Sequence, residues 1–435
     1  LTELIETIGI KVSPVTLLIL ITGFTLASLL LGYLQRKLLI KSKQIYSRNL
    51  RNKFFNGILD SNWQYSSNRS HGEVANQLNI ECARAGVALG MELLAVATAI
   101  QVVTYFAFSI IISWELVAIT FVFSILAYIV VRPVMAHAKI LGEETSIANR
   151  NISFYAIEYL RSLKLLKATG AEELPKKDMC KHSNTLNKVS YHSELNTTRV
   201  YFLVQALPVI LLTSIIGISI ELIETPTSLI LVFLLFMART APRVAQFQQQ
   251  LNSFHMASPA IRIVNQMITE SCNAKEDLNS TGTEFKSIKK EIALENVSFK
   301  YKNKETFAID RVSLKIPHNK MIAIVGSSGA GKSTVMDLLC GLYIPENGKV
   351  VIDGVDLREF NIVSWRKKIG IVTQDLMIFN ASLRDNLTFF NQSASEEKAK
   401  WALSIAHLDD VINNLSDGMD TILGENGQRL SGGQK

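Results

Sequence analysis

Over its first 250 or so residues the chain alternates long apolar runs with charged connections. Five runs stand out: Val15–Leu34, Leu93–Ile112, Leu116–Val134, Tyr201–Ile220 and Ser228–Val244. Each approaches the roughly 20 apolar residues that a spanning helix needs. Ser113-Trp114-Glu115 joins the second run to the third, and Glu221–Thr227, with Pro226, joins the fourth to the fifth. Both links predict short turns on one side of a bilayer. The other two connections, 35–92 and 135–200, are long. Ile45–Leu59 and Asn149–Leu166 within them carry apolar residues at helical spacing. The pattern predicts helices that extend the spans beyond the bilayer, reverse, and return. The reversals fall near Trp63–Gly72 and near Thr169–Pro175, where Gly170 and Pro175 break a helix.

Beyond the polar stretch Glu270–Ile288 the periodicity shortens. Ile292–Tyr301 and Ala308–Ile316 alternate as strands, and Lys349–Ile352 runs into the turn pair Asp353-Gly354. Met321–Val325 and Ile369–Thr373 are short, apolar and β-branched, so both read as buried strands. Thr334–Leu342 reads as a helix, and from Ser382 the pattern is helical over Ser382–Phe390, Ser395–Leu408 and Asp409–Leu415. The expected fold is an all-α polytopic membrane domain over 1–268, a linker over 269–290, and an α/β domain over 291–435.

Charge sharpens the membrane reading. Apolar residues make up 48% and charged residues 19%, and the net charge is +7. The basic residues gather in the two long connections, whereas the short links carry only acids. A Lys/Arg excess marks the cytoplasmic side, so the charge speaks for topology and against nucleic acid as a partner. The long connections and the α/β domain are then cytosolic, in a cell inner or plasma membrane, and Leu1–Lys11 lies outside. An outside start with five spans points to an earlier, sixth span. Cys82, Cys180, Cys272 and Cys340 lack C-x-x-C spacing and read as free thiols.

The chemistry is concentrated at Gly326-Ser327-Ser328-Gly329-Ala330-Gly331-Lys332-Ser333, which fits G-x-x-x-x-G-K-[ST]. A strand before and a helix after are the context this motif needs. Backbone N–H groups released by the glycines would surround phosphate oxygens, and the helix N-terminus adds partial positive charge. Lys332 would reach the β- and γ-phosphates, and the Ser333 hydroxyl would hold Mg²⁺, with Thr334 following as a further nucleotide contact.

Two further motifs follow: Gln374 at the end of a strand, and Leu430-Ser431-Gly432-Gly433-Gln434. Together with the phosphate loop and the fused membrane helices, they make the chain resemble an ABC transporter, specifically an exporter-type half-transporter. Thr421-Ile422-Leu423-Gly424-Glu425-Asn426-Gly427 resembles the T-x-x-G-E-x-G loop of such exporters. The resemblance implies ATP and Mg²⁺ as cofactors, Tyr301 stacked on adenine, and Gln374 as a Mg²⁺ ligand that also orients water. It implies that Ser431, Gly432, Gly433 and Gln434 serve the ATP of a second half-transporter, in a homodimer or a heterodimer. It also implies coupling contacts from Trp63–Asn68 and Thr169–Leu174. Taken alone, Gln374 would be a strand cap, and Tyr301 an aromatic in a core.

In the family an Asp and a catalytic Glu follow LSGGQ, and this sequence ends at Lys435. The chain as given is therefore expected to bind ATP without turning it over. ATP-driven export is the function implied. An ATP-gated regulator or channel subunit shares the same parts, while a membrane-tethered kinase and an importer fit them poorly. Arg239 and Arg243 add a hint about cargo. At about 1.5 Å per residue Arg239 lies roughly 16 Å into the last run, past the middle of a ~30 Å core. Arg243 follows one turn deeper, and Pro242 between them could bend the helix. Charges at that depth favour an anionic substrate such as a phosphate-bearing lipid or a lipid-linked saccharide, unless they snorkel or pair with an acid.

Overall fold

The computed structural model describes residues 14–112, 114–221, 227–278, 281–302, 304–374, 376–391, 394–413 and 415–435. Leu1–Lys11, Ser113 and most of the link Glu221–Thr227 lie outside them. The chain divides into two compact units, 1–278 with 342–344, and 279–341 with 345–435.

The described part of the first unit is helical. In chain order it comprises α1 (Pro14–Asp60), α2 (Trp63–Ser67), α3 (His71–Asn76), a π-turn (Gln77–Glu81) and α4 (Cys82–Ile112). Then come α5 (Trp114–Arg161), α6 (Leu163–Thr169), α7 (Glu173–Glu221) and α8 (Thr227–Asn273). Stretches within Pro14–Asp60, His71–Ile111, Thr120–Arg161 and Glu173–Ser214 are long and apolar enough to cross a membrane. The fifth run, Ser228–Val244, falls on α8, where the side chains of 227–230 and 232–236 are outside the described set. The apolar windows face outward: none of the α1 window is buried, and only 17–18% of the other three. Hydrocarbon is as apolar as leucine, so such a surface gains little by packing on protein and suits a lipid surround.

Burial gathers in two cores. Leu50 and Phe54 of α1, Cys82 and Ala85 of α4, and Ala260 and Val264 of α8 form one core. Val131 and Met135 of α5 pack with Val200 and Val204 of α7 in another. Helices α5 and α8 approach closely at Gly142, where a Cβ would stand 2.3 Å from the Met256 carbonyl oxygen. Arg84 of α4 closes this joint. Its guanidinium donates to the Gly142 and Met256 carbonyls, each at 3.0 Å, and to Ser146 Oγ. It also pairs at 3.3 Å with Glu81, which is 1% exposed.

Both reversals have local causes. Asn62 caps α2 by accepting from the Tyr65 N–H at 2.9 Å. Gly170 ends α6 at φ 64°, a left-handed cap that glycine adopts without strain. Pro175 lies in the first turn of α7, where its missing N–H breaks no helical bond.

The second unit is built on an antiparallel sheet of order β2-β1-β3-β4, with β1 (Glu291–Phe299), β2 (Ile309–Pro317), β3 (Asn347–Ile352) and β4 (Val355–Asp356). Leu294 sits opposite Leu314 on one side and Val350 on the other. The helices are α9 (Lys332–Leu339), α10 (Ile362–Arg366), α11 (Leu383–Thr388), α12 (Glu396–Ile405) and α13 (Asp409–Asn413). Phe285, in the stretch read as linker, is buried and meets Trp365 edge-on at 4.8 Å.

Two expected strands differ. Met321–Val325 and Ile369–Thr373 stay outside the sheet, with Met321 99% and Val372 88% exposed. A run apolar on both faces belongs in a sheet covered on both sides. It holds as a strand only when a neighbour closes its N–H and C=O ladder. The four strands pair with one another, and neither run joins them.

Candidate functional site

The loop Gly326–Ser333 leads into α9 and keeps its backbone open. Gly326 through Ala330 are exposed. Gly329 and Gly331 take φ 82° and 86°, the left-handed region that turns successive N–H groups toward one concavity. The Ala330 N–H closes a turn on the Ser327 carbonyl at 3.2 Å. The Val335 N–H donates to the Gly331 carbonyl at 2.9 Å, at the start of α9. The N–H groups of Lys332, Ser333 and Thr334 precede it and belong to the unsatisfied first turn of the helix.

The side chains of the loop take different stations. Lys332 Nζ folds back and donates to the Gly326 and Ser327 carbonyls at 2.9 and 2.7 Å, which places its charge over the loop. Ser333 is exposed beside it. Thr334 is buried, and its hydroxyl and that of Tyr301 hydrogen-bond to each other at 2.9 Å. Tyr301 also stands edge-on to Phe299, with ring centroids 5.1 Å apart. The structure thus brings Tyr301 to the start of α9, a tie through the hydroxyl that a sequence search for a flat stacking face passes over.

Gln374 is exposed at the end of the run 369–373, which lies outside the sheet. Ser431, Gly432 and Gly433 form an exposed turn, in which Gln434 Oε1 accepts from the Ser431 N–H at 2.8 Å. The loop Thr421–Gly427 before it is anchored: the Leu383 N–H donates to Thr421 O and the Leu423 N–H to Ala381 O, both at 3.0 Å. Among the described residues, the Ser431–Gln434 turn bonds within itself and to Lys435, and the structure does not join it to the phosphate loop of its own chain. No cluster of His, Cys, Asp or Glu suited to a metal occurs among the described residues. The open N–H groups, Lys332 and the exposed Ser333 hydroxyl fit a phosphate group carrying its own Mg²⁺.

In the first unit, Arg239 and Arg243 are exposed on α8, one turn apart, and Arg243 donates to Gln246 Oε1 at 3.0 Å. Met237 and Thr240 of the same helix are buried.

Family comparison matches residues 1–250 to the ABC transporter transmembrane region and 309–435 to the ABC transporter family. The chain belongs to the ABC transporter family. It is 28% identical over 374 residues to the heterocyst differentiation ATP-binding protein HepA of Nostoc sp., covering 85% of this chain and 61% of that protein. It is 37% identical over 153 residues to the ATP-dependent lipid A-core flippase of Pectobacterium atrosepticum, covering 35% of this chain and 26% of the flippase. The chain thus spans less than two thirds of the length of these relatives. Its fold matches a bacterial Atm1-family ABC exporter solved with ATP bound, at TM-score 0.81 and 21% identity over 100% of this chain and 77% of that one.

Proposed function

We propose that this ABC transporter chain is one half of an ATP-driven exporter. The observation that carries the reading is the open phosphate loop on the same chain as four helices of membrane-spanning length. Lys332 and the N-terminal N–H groups of α9 would hold the β- and γ-phosphates, with Ser333 and Gln374 toward Mg²⁺. The cation would neutralise phosphate charge as it builds. Gly326 to Ser333 and Thr334 would form the nucleotide bed, and Tyr301, tied through its hydroxyl to Thr334, would stack its ring on adenine. The exposed turn Ser431–Gln434 would cap the phosphates of a second half-transporter, the role its internal hydrogen bonding in this chain leaves open. Trp63–Asn68 and Thr169–Leu174, at the reversals of the long helices, would carry nucleotide-driven closure to the spans. The membrane domain would cover 1–268, the linker 269–290 and the ATPase domain 291–435, cytosolic beneath an inner or plasma membrane. The exposed Arg239 and Arg243 would line a path between two protomers and favour an anionic lipid-like cargo. The lipid A-core flippase among the relatives supports that class of cargo.

The test is nucleotide binding together with transport. Replacing Lys332 by Ala should lower affinity for ATP about 10–100-fold, the loss expected of charge-assisted hydrogen bonds. In the intact protein, with the Asp and Glu that the family places after LSGGQ, it should also remove ATP-dependent movement of an anionic amphiphile across reconstituted vesicles. Equal movement with and without ATP in that intact protein, Lys332 unaltered, would overturn the reading.

A further inference from the structure

The first unit contains a cavity of about 280 Å³ between α4, α5, α7 and α8, near the lower end of the range of ligand pockets. Its shape follows from its walls. On α5 the lining runs from Thr120 to Val130, and on α8 from Met237 to Gln248. At about 1.5 Å per residue, each wall is roughly 15 Å tall. The cavity is therefore a slot along the helix axes. Ala127 of α5 and Ala241 of α8 supply the width, since larger side chains there would fill it.

The walls are mostly apolar: Thr120 and Thr240 interrupt them, and the Ser124 hydroxyl is turned to its own helix, donating to the Thr120 carbonyl at 2.7 Å. Water needs two to four polar partners to occupy such a space, and native interiors rarely keep larger dry voids. The larger polar groups gather at one end. Gln248 closes the slot just past the apolar run that ends at Val244. A second, smaller pocket shares Val204 with the slot and is lined by Gln205, Gln246 and Gln249. Arg243 donates to Gln246, bringing a positive charge to the same end.

We propose that the slot holds one hydrocarbon chain of an amphiphile, with its anionic or polar head at the glutamine-lined end. The ligand class is a single-chain amphiphile, such as a lysophospholipid. The site lies inside one protomer, on the face of α8 opposite Arg239. Only its description as a cargo site rests on the export reading.

The experiment uses the protein in phosphatidylcholine–phosphatidylglycerol nanodiscs, without nucleotide. The probe is a lysophospholipid with a diazirine in its acyl chain, activated by light, with adducts mapped by peptide mass spectrometry. Adducts should fall on slot residues such as Ala127, Val204, Met237 and Ala241. Ala127→Phe and Ala241→Phe should each lower their yield about tenfold or more, as filling an apolar pocket does. Excess unlabelled lysophospholipid should displace the probe in the unaltered protein, an arm that needs no variant to fold. Adducts confined to the outward Phe121, Ile125 and Ile129, with equal yield in both variants, would show surrounding bilayer lipid only and overturn the proposal. Failure of unlabelled lysophospholipid to compete would overturn it as well. Adducts in the slot, with no ATP-dependent transport by the intact protein that carries the Asp and Glu after LSGGQ, would instead remove the export reading and leave the binding site standing.

Discussion

At Gly331 two constraints meet in one residue. Its φ of 86° is left-handed, and a Cβ would stand 2.7 Å from the Ala308 carbonyl oxygen. Alanine there would incur about 1–2 kcal/mol of backbone strain and push the loop off β2. Gly331→Ala should therefore lose ATP binding as fully as Lys332→Ala, although no charge is removed. An unchanged nucleotide titration would show that the loop tolerates the shift. Asp353 offers a second test. Desolvation works against its charge, but backbone N–H groups of Lys289, Lys290 and Glu291 hold its carboxyl below the usual carboxylate range. They donate to it at 2.7, 2.7 and 3.0 Å. A lowered folded pKa means the stabilisation is present above the unfolded value of about 3.9 and is lost as pH falls through the folded one. Asp353→Asn tolerates the left-handed turn but should cost about 1 kcal/mol at neutral pH, a figure discounted for partial solvation. The penalty should shrink in melting curves taken below pH ~4; a pH-independent penalty would point to the turn instead of the charge.

Among the elements, the joint of α4, α5 and α8 is the most demanding. Arg84 reaches two carbonyls, a hydroxyl and the buried Glu81, and Gly142 lets two helices touch. Arg84→Ala would leave the Glu81 carboxylate buried without its cation, at a cost of about 3–5 kcal/mol. Arg84→Ala should therefore lower thermal stability more than the exposed Arg262→Ala, which breaks only a surface pair with Glu143. Comparable melting shifts would mean that the joint is solvated. This joint was not legible in the sequence, because residues 84, 142 and 256 are brought together by packing alone. The helix ends were legible, because Asn62, Gly170 and Pro175 act through local backbone chemistry. Met321–Val325 and Ile369–Thr373 show the opposite limit. Their composition suits a strand, but a strand also needs a neighbour, which composition does not state.

Across the whole molecule, the cysteines report on how the chain is packed. Cys82 and Cys340 are buried, whereas Cys180 and Cys272 are exposed. Burial, more than the nearby Arg51 and Glu81, pushes the Cys82 thiol up to about 11. A thiol is reactive only as the thiolate, so a maleimide reagent at neutral pH should label Cys180 and Cys272 and spare the other two. All four should react after denaturation. Rapid labelling of Cys82 in the native protein would contradict the packing of α1, α4 and α8.

The sequence by itself determined the division into membrane helices and ATPase domain, the reversals of the long helices, and the phosphate loop. These features are written in runs of neighbouring residues, through hydropathy, helix breakers and glycine spacing. Only the tertiary structure decided the tie of Tyr301 to Thr334, the placing of Arg239 and Arg243 on the outer face of α8, the slot behind that helix, and the exclusion of two apolar runs from the sheet. Each of these depends on which surfaces meet across long stretches of chain. Local periodicity fixes the face a residue occupies on its own helix, while packing between helices fixes what that face encounters.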